Sequence, residues 1–209
     1  MSTVAVRNYS VAEYLSREAA STVRNEYYRG DIFAMAGNTL QHTEIQGNLM
    51  YRLRQALEGS PCRPYGTDQR IRIEAVNLFT YPDVVVICGE PEFSPDDPMS
   101  ITNPRVIFEI LSPSTEAYDR GEKFELYQHL ASLQEYILVS QDRAHIDRFV
   151  RQPGGGWLLQ SFAGLEDVLE IESLKCRIPL ALVYENVKFN PALTVHEAEP
   201  SKTDIGTTH

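Results

Sequence analysis

The stretch "FEILSPSTEAYDRGEKFELY", residues 108–127, sets Glu109 in a run of strand-forming residues and Lys123 in a segment of helical composition. An ionised carboxylate inside an apolar strand is costly unless it is paired or binds a metal. A second acid, Asp83, follows a proline in "FTYPDVVVICGE" and opens the most β-branched run of the chain. Both "DVVVIC" and "RVIFEIL" are nearly continuous apolar runs, the signature of central strands covered on both faces. These two segments are expected to be central strands of the fold, one opened by Asp83 and the other carrying Glu109.

Downstream, Asp119 followed by Glu122 reads as N-cap chemistry, opening a helix through "RGEKFELYQHLA" with Phe124, Tyr127 and Leu130 as its buried stripe. Next come "EYILVS", "AHIDRFVRQ" and "GWLLQSFAG", parted by "QDR" and "PGGG", which read as a strand leading into a meander. Pro179 suits the first turn of a last short helix, "PLALVYENV".

Upstream, Ser10 with Glu13 is a capping-box pattern for a first helix. The segment "TVRNEYYRGDIFAMAG" predicts a hairpin turning at Arg29-Gly30-Asp31 and covering one edge of a sheet. From about Thr39, the spacing of Leu40, Ile45, Leu49, Leu53 and Leu57 gives a long helix one apolar face. The alternation in "QRIRIEA" predicts a strand with one wet face. The fold class is α/β (α+β) with a mixed sheet. Residues 1–190 are expected to form one domain, and the polar residues 191–209 a loose tail.

The 19 basic and 29 acidic residues give a net charge of −10, which argues against holding a polyanion by overall charge. A local cluster, Arg52, Arg54, Arg63, Arg70 and Arg72, can still form a binding face, although a solvated helix and strand face is the simpler reading. Cys62, Cys88 and Cys176 show no C-x-x-C pair for zinc and are expected to be reduced thiols in a cytoplasmic protein. No secretory leader or membrane-length apolar run is visible.

Two acids on adjacent central strands can hold one hard cation, because Mg²⁺ prefers carboxylate oxygens. Bringing two carboxylates together without a cation is unfavourable. Such a cation polarises a phosphoryl oxygen and acidifies an attacking water, and a lysine ammonium stabilises the charge that builds on phosphorus. Serine chemistry has little support, since no G-x-S-x-G elbow occurs, and "PGGG" lacks the Lys-Ser/Thr of a phosphate-binding loop.

At these residues the chain resembles the Uma-type restriction endonucleases of the PD-(D/E)xK nuclease superfamily. The resemblance is carried by Pro82-Asp83, Glu109 in "VIFEILSPST", "YDRGEKFELY", "LQEYILVS" and the opening "EYYRGDIFAMAGNTLQHTEIQGNL", and it spans about residues 10 to 185. It implies a restriction-endonuclease-like mixed sheet flanked by helices with an added meander, Mg²⁺ (or Mn²⁺) as cofactor, DNA as substrate and a homodimer. Asp83 and Glu109 are the expected metal ligands. The superfamily lysine belongs two residues after the second acid, and Leu111 stands there. Lys123, on a helix that must pack back on the sheet, is assigned the missing role, as in the D-x-x-x-K segment of the Uma-type family.

His42, Tyr127, Arg70 and Arg72 are secondary candidates for substrate contact, and Glu44 and Glu26 are further acids that could enlarge the metal site. The simpler readings are a hydrogen-bonded structural histidine, an interfacial core tyrosine and surface acids. His145 and Trp157 read as structural. The rival from another class is a catalytically inactive nuclease-fold protein serving as an oligomerisation or nucleic-acid-binding module, and an RNA or nucleotide phosphodiesterase is a third reading.

Overall fold

The computed structural model describes residues 8–35 and 37–189; the expected loose tail lies outside the described residues. Two six-stranded sheets and a two-stranded ribbon form an α+β architecture with mixed sheets flanked by helices.

The strands of the two buried acids lie at the heart of one sheet. In order across it run β12 (Trp157–Ala163), β11 (His145–Arg151), β10 (Glu135–Ser140), β9 (Val106–Leu111), β6 (Val84–Cys88) and β3 (Cys62–Gly66). β9 runs parallel to β10 and antiparallel to β6. All six residues of β9 are buried, as the continuous apolar run requires.

Side chains alternate across a strand, so each strand feeds two cores. Val84, Val86, Val106, Phe108 and Ile110 point into a core built with the long helix α2 (Leu40–Ala56), the ribbon of β13 (Val168–Ile171) and β14 (Cys176–Pro179), and the short α5 (Leu180–Val183). Val85, Ile87, Ile107 and Leu111 point to the opposite side, toward α4 (Glu122–Tyr127) and the second sheet. Glu109 shares the parity of Ile107 and Leu111 and therefore faces α4.

That second sheet has the order β2 (Asp31–Ala34), β1 (Asn25–Tyr28), β5 (Leu78–Thr80), β4 (Ile71–Ile73), β8 (Asp97–Ile101) and β7 (Phe93–Ser94). The predicted hairpin is β1–β2, and it occupies one edge. Arg29 and Gly30 make its turn at φ 49° and 104°, and a Cβ on Gly30 would overlap Asn8 Oδ1 at 1.6 Å. The first helix, α1 (Val11–Ala20), carries the capping box on Ser10 and Glu13 and buries Tyr14 against Tyr27 and Phe79.

Several expectations are corrected. β4 has no wet face: Arg70, just before it, and Arg72 within it are 8% and 5% exposed. Arg70 is paired with Asp97 at 2.5 Å and Arg72 with Asp96 at 3.4 Å, so counter-ions, Asp97 buried and Asp96 half exposed, replace solvent. The helix expected through residues 120–131 breaks at Gly121 into α3 (Glu116–Arg120) and α4, with Asp119 inside α3 rather than capping. Phe124, Tyr127 and Leu130 are buried as the pattern requires. The last helix is a single turn, and Leu40 is 69% exposed although it opens the apolar spacing of α2. Cys62 and Cys88 are joined in a disulfide rather than reduced, because β3 and β6 place them directly opposite one another. The pairing removes reduced thiols as a reason for a cytoplasmic location. Among the described residues no helix is long and apolar enough to cross a membrane.

Candidate active site

Asp83 immediately precedes β6, whose register pairs Val84 with Phe108, so its side chain lies beside Glu109. The Asp83 amide donates to Glu109 Oε2 at 3.4 Å, while Asp83 Oδ2 accepts from the Ile110 amide at 2.8 Å. Glu109 Oε1 carries the rest of the site: Lys123 Nζ approaches to 2.8 Å, and Tyr127 Oη donates to it at 2.7 Å. Lys123 and Tyr127 are four apart on one face of α4. Leu111, at the superfamily lysine position, is buried among apolar neighbours, and the ammonium arrives from the helix that covers this face.

Asp119 is the residue the sequence reading misassigned. It is 4% exposed and lies 3.4 Å from Lys123 Nζ, with the break at Gly121 between them. Its signal was the four-residue spacing to Lys123, which local cap chemistry obscured. Glu26, in β1 of the second sheet, stands 3.8 Å from Lys123 and accepts hydrogen bonds from Thr80 Oγ1 and the Tyr81 amide.

His42 enters from the first turn of α2, with Nε2 3.0 Å from Asp83 Oδ2. Thr39 caps that helix by accepting from the His42 amide at 3.1 Å, and its own hydroxyl donates to Gln141 at 2.8 Å. Gln141, contributed from beyond β10 more than a hundred positions away in sequence, carried no sequence signal.

Glu26, His42, Asp83, Glu109, Asp119 and Lys123 all contribute to one cavity of about 480 Å³, and the substrate candidate Tyr127 is not part of its lining. Glu44 is not part of it, and Arg70 and Arg72 are held elsewhere in their ion pairs. His145 bonds Asp147 at 3.1 Å, and Trp157 packs edge-on to Phe124, 5.2 Å between rings.

Burial, moderated by the Lys123 ammonium and reinforced by Asp119 and Asp83, pushes the Glu109 carboxyl up to about 8. Burial also raises Asp119, against the pull of Lys123. Burial works against the charge on Lys123, but Glu109, Tyr127, Glu26 and Asp119 together hold it protonated, well above an ordinary lysine. One ammonium thus faces three carboxyl groups, Glu109, Asp119 and Glu26.

Comparison with known proteins gives the family and the fold. Residues 11–182 match the family model described as "Uma2: Putative restriction endonuclease". The chain belongs to this family. Two relatives from Synechocystis sp., both uncharacterized, are slr1290, 37% identical over 183 residues (86% of this chain, 93% of that protein), and sll1609, 32% identical over 166 residues (79% and 94%). A crystal structure from Anabaena variabilis, described as "a putative nuclease belonging to DUF820", superposes with a TM-score of 0.67 at 15% identity, covering 84% of this chain and 97% of that one. At that identity the likeness speaks for the fold, which is the restriction-endonuclease-like one the family membership implies.

Proposed function

We propose that this protein is a metal-dependent endonuclease that hydrolyses DNA phosphodiester bonds at the Asp83–Glu109–Lys123 site. The observation that carries the reading is the delivery of Lys123 Nζ to within 2.8 Å of Glu109 from a helix, which completes an acid–acid–lysine set that the strand alone does not.

The donor set suits Mg²⁺ or Mn²⁺. Among the described residues no group of three or more His, Cys, Asp or Glu side chains is arranged as a metal cage, and Mg²⁺ is usually bound by one or two carboxylates with waters completing the shell. Asp83 and Glu109 would hold the ion. Asp83 Oδ2 is committed to His42 and Ile110, and Glu109 Oε1 to Lys123 and Tyr127, while the second oxygen of Glu109 has only a 3.4 Å contact. When bound, such a cation polarises a phosphoryl oxygen and lowers the pKa of water.

The chain's own residues do the remaining work. Lys123 supplies a fixed positive charge for the oxygens that gain charge as the phosphoryl group is attacked. Asp119 and Glu26 hold that ammonium in place, and His42 and Tyr127 fix the two carboxylates so that little reorganisation accompanies the reaction. Cutting both strands of a duplex calls for two such sites, for which a homodimer is the simplest source.

One observation favours the inactive reading: Lys123 already neutralises Glu109 directly, so the cluster could be a structural ion pair. The deciding experiment is cleavage of supercoiled plasmid at low salt with Mg²⁺ or Mn²⁺, where phosphate binding is strongest. Nicking by the native protein that disappears in Asp83→Ala, Glu109→Ala and Lys123→Ala, each still folded, is the expected result. A melting temperature indifferent to either ion, together with no nicking, would leave the structural ion pair.

A further inference from the structure

A second cavity, of about 530 Å³, opens beside the acid cluster, between α2 and the end of β3. Gln46, Gly47, Met50, Tyr65 and Gly66 contribute to its wall. Gln46 connects it to the site, because its Nε2 donates to the Asp83 carbonyl at 2.8 Å. Gly66 pairs with Val84, the residue after Asp83, and Gln46 lies one helical turn beyond His42.

The two glycines have no explanation in their own backbones. Gly47 sits in the interior of α2, where glycine costs about 1 kcal/mol relative to alanine. Neither Gly47 nor Gly66 has a positive φ, and a Cβ built on either meets no atom within 4 Å. They come from different elements, and what they share is this cavity. Their effect is to leave its floor bare, which is where glycine serves when a ligand must approach the main chain closely.

The lining also indicates the ligand. No lysine or arginine contributes to it. Its one charged residue, Asp68, has a side chain 82% exposed and is paired with Arg24 at 3.0 Å, so an anion gains nothing here. Amides, hydroxyls, a thioether and a phenol remain, which suit a flat heterocycle edged with donors and acceptors. We infer that this cavity is a nucleobase subsite, receiving the base of a nucleotide whose neighbouring phosphate lies at Asp83, Glu109 and Lys123; the inference rests on the endonuclease reading above.

The test is fluorescence anisotropy with a labelled single-stranded oligonucleotide, in Ca²⁺ to supply a hard cation, comparing native protein with Gly47→Ala and Gly47→Leu. Both substitutions place a better helix former on an open helix face, so both variants should fold. Gly47→Leu is expected to weaken binding by about tenfold, the scale of losing one stacked base, and Gly47→Ala by much less. A series of oligonucleotides with an abasic residue at each position in turn should contain one that binds native protein about tenfold more weakly, yet loses nothing further with Gly47→Leu. Native affinity in Gly47→Leu, or equal abasic losses in both proteins, overturns the subsite while leaving the endonuclease reading standing. If native protein binds no oligonucleotide, amide NMR with free nucleosides separates the two ideas. Shifts at Gly47 and Gly66 would keep the subsite and their absence would overturn it, while plasmid nicking decides the endonuclease reading separately.

Discussion

At the scale of single residues, the central fact is a glutamate that the fold pays to bury. Glu109 is 3% exposed, and its carboxyl is raised to about 8, chiefly by burial. In the unfolded chain it titrates near the ordinary carboxyl value of about 4.3. Between those two values the folded state binds a proton that the unfolded state does not, so stability declines as pH rises and levels off above the folded value. Asp119, also raised, acts in the same direction. Asp97 and Asp147 are lowered despite burial, by hydrogen bonds and arginine partners, and their contribution is lost only in acid, below this window. Urea unfolding in EDTA should therefore show the midpoint falling from pH 5 to pH 8.5, and Glu109→Gln should flatten that slope relative to native protein. Mg²⁺ should restore stability at the alkaline end, since a cation bound at the carboxylates takes the place of the proton. An identical slope in native and Glu109→Gln proteins would mean that Glu109 is ionised throughout.

At the scale of elements, α2 and the α3–α4 pair present the site's side chains from opposite directions. The α2 N-terminus depends on Thr39, which both caps the His42 amide and reaches Gln141. Thr39→Ala should cost about 1 kcal/mol, the usual scale of a lost N-cap. Thr39→Ser, which keeps the hydroxyl, should recover most of it in the same denaturation measurement. If alanine and serine behaved alike, the cap would not be what holds His42. The helix was readable in the sequence, because apolar spacing from about Thr39 is local information, while the cap itself shows only in the structure. The α3–α4 break was not. Asp119 and Glu122 match a cap pattern, and only the packing of Lys123 against Glu109 draws Asp119 inward. The strand β4 is where the pattern put it, and only its expected wet face failed, for a related reason. Alternating arginine predicts a wet face, and the counter-ions Asp96 and Asp97 come from more than twenty positions downstream.

At the scale of the whole molecule, the acids Asp83 and Glu109 were legible because buried carboxylates break the pattern of an otherwise apolar strand. A buried strand acid alone is no guide to a site: Glu135 in β10 is equally hidden, and Arg148 neutralises it at 2.5 Å. What distinguishes Glu109 is a second acid on the neighbouring strand and a cavity in front of it. Pairings set by register between distant strands stayed invisible, the disulfide foremost. Cys62 and Cys88 are 26 positions apart, and nothing local announces that the edge strand β3 will place one opposite the other. The bridge ties that edge to β6, the strand that Asp83 precedes. Closing a loop of this length limits the unfolded chain by about 3 to 4 kcal/mol on the chain-entropy account. The Cys62→Ser, Cys88→Ser double variant should be less stable than oxidised native protein by that order, and adding a reductant to native protein should bring the two together. Non-reducing peptide mapping gives the independent check. Recovery of Cys62 and Cys88 as free thiols from protein prepared without reductant would mean that β3 is held by its ladder and by Leu53 and Leu57 alone, and the stability difference between native and variant should then vanish.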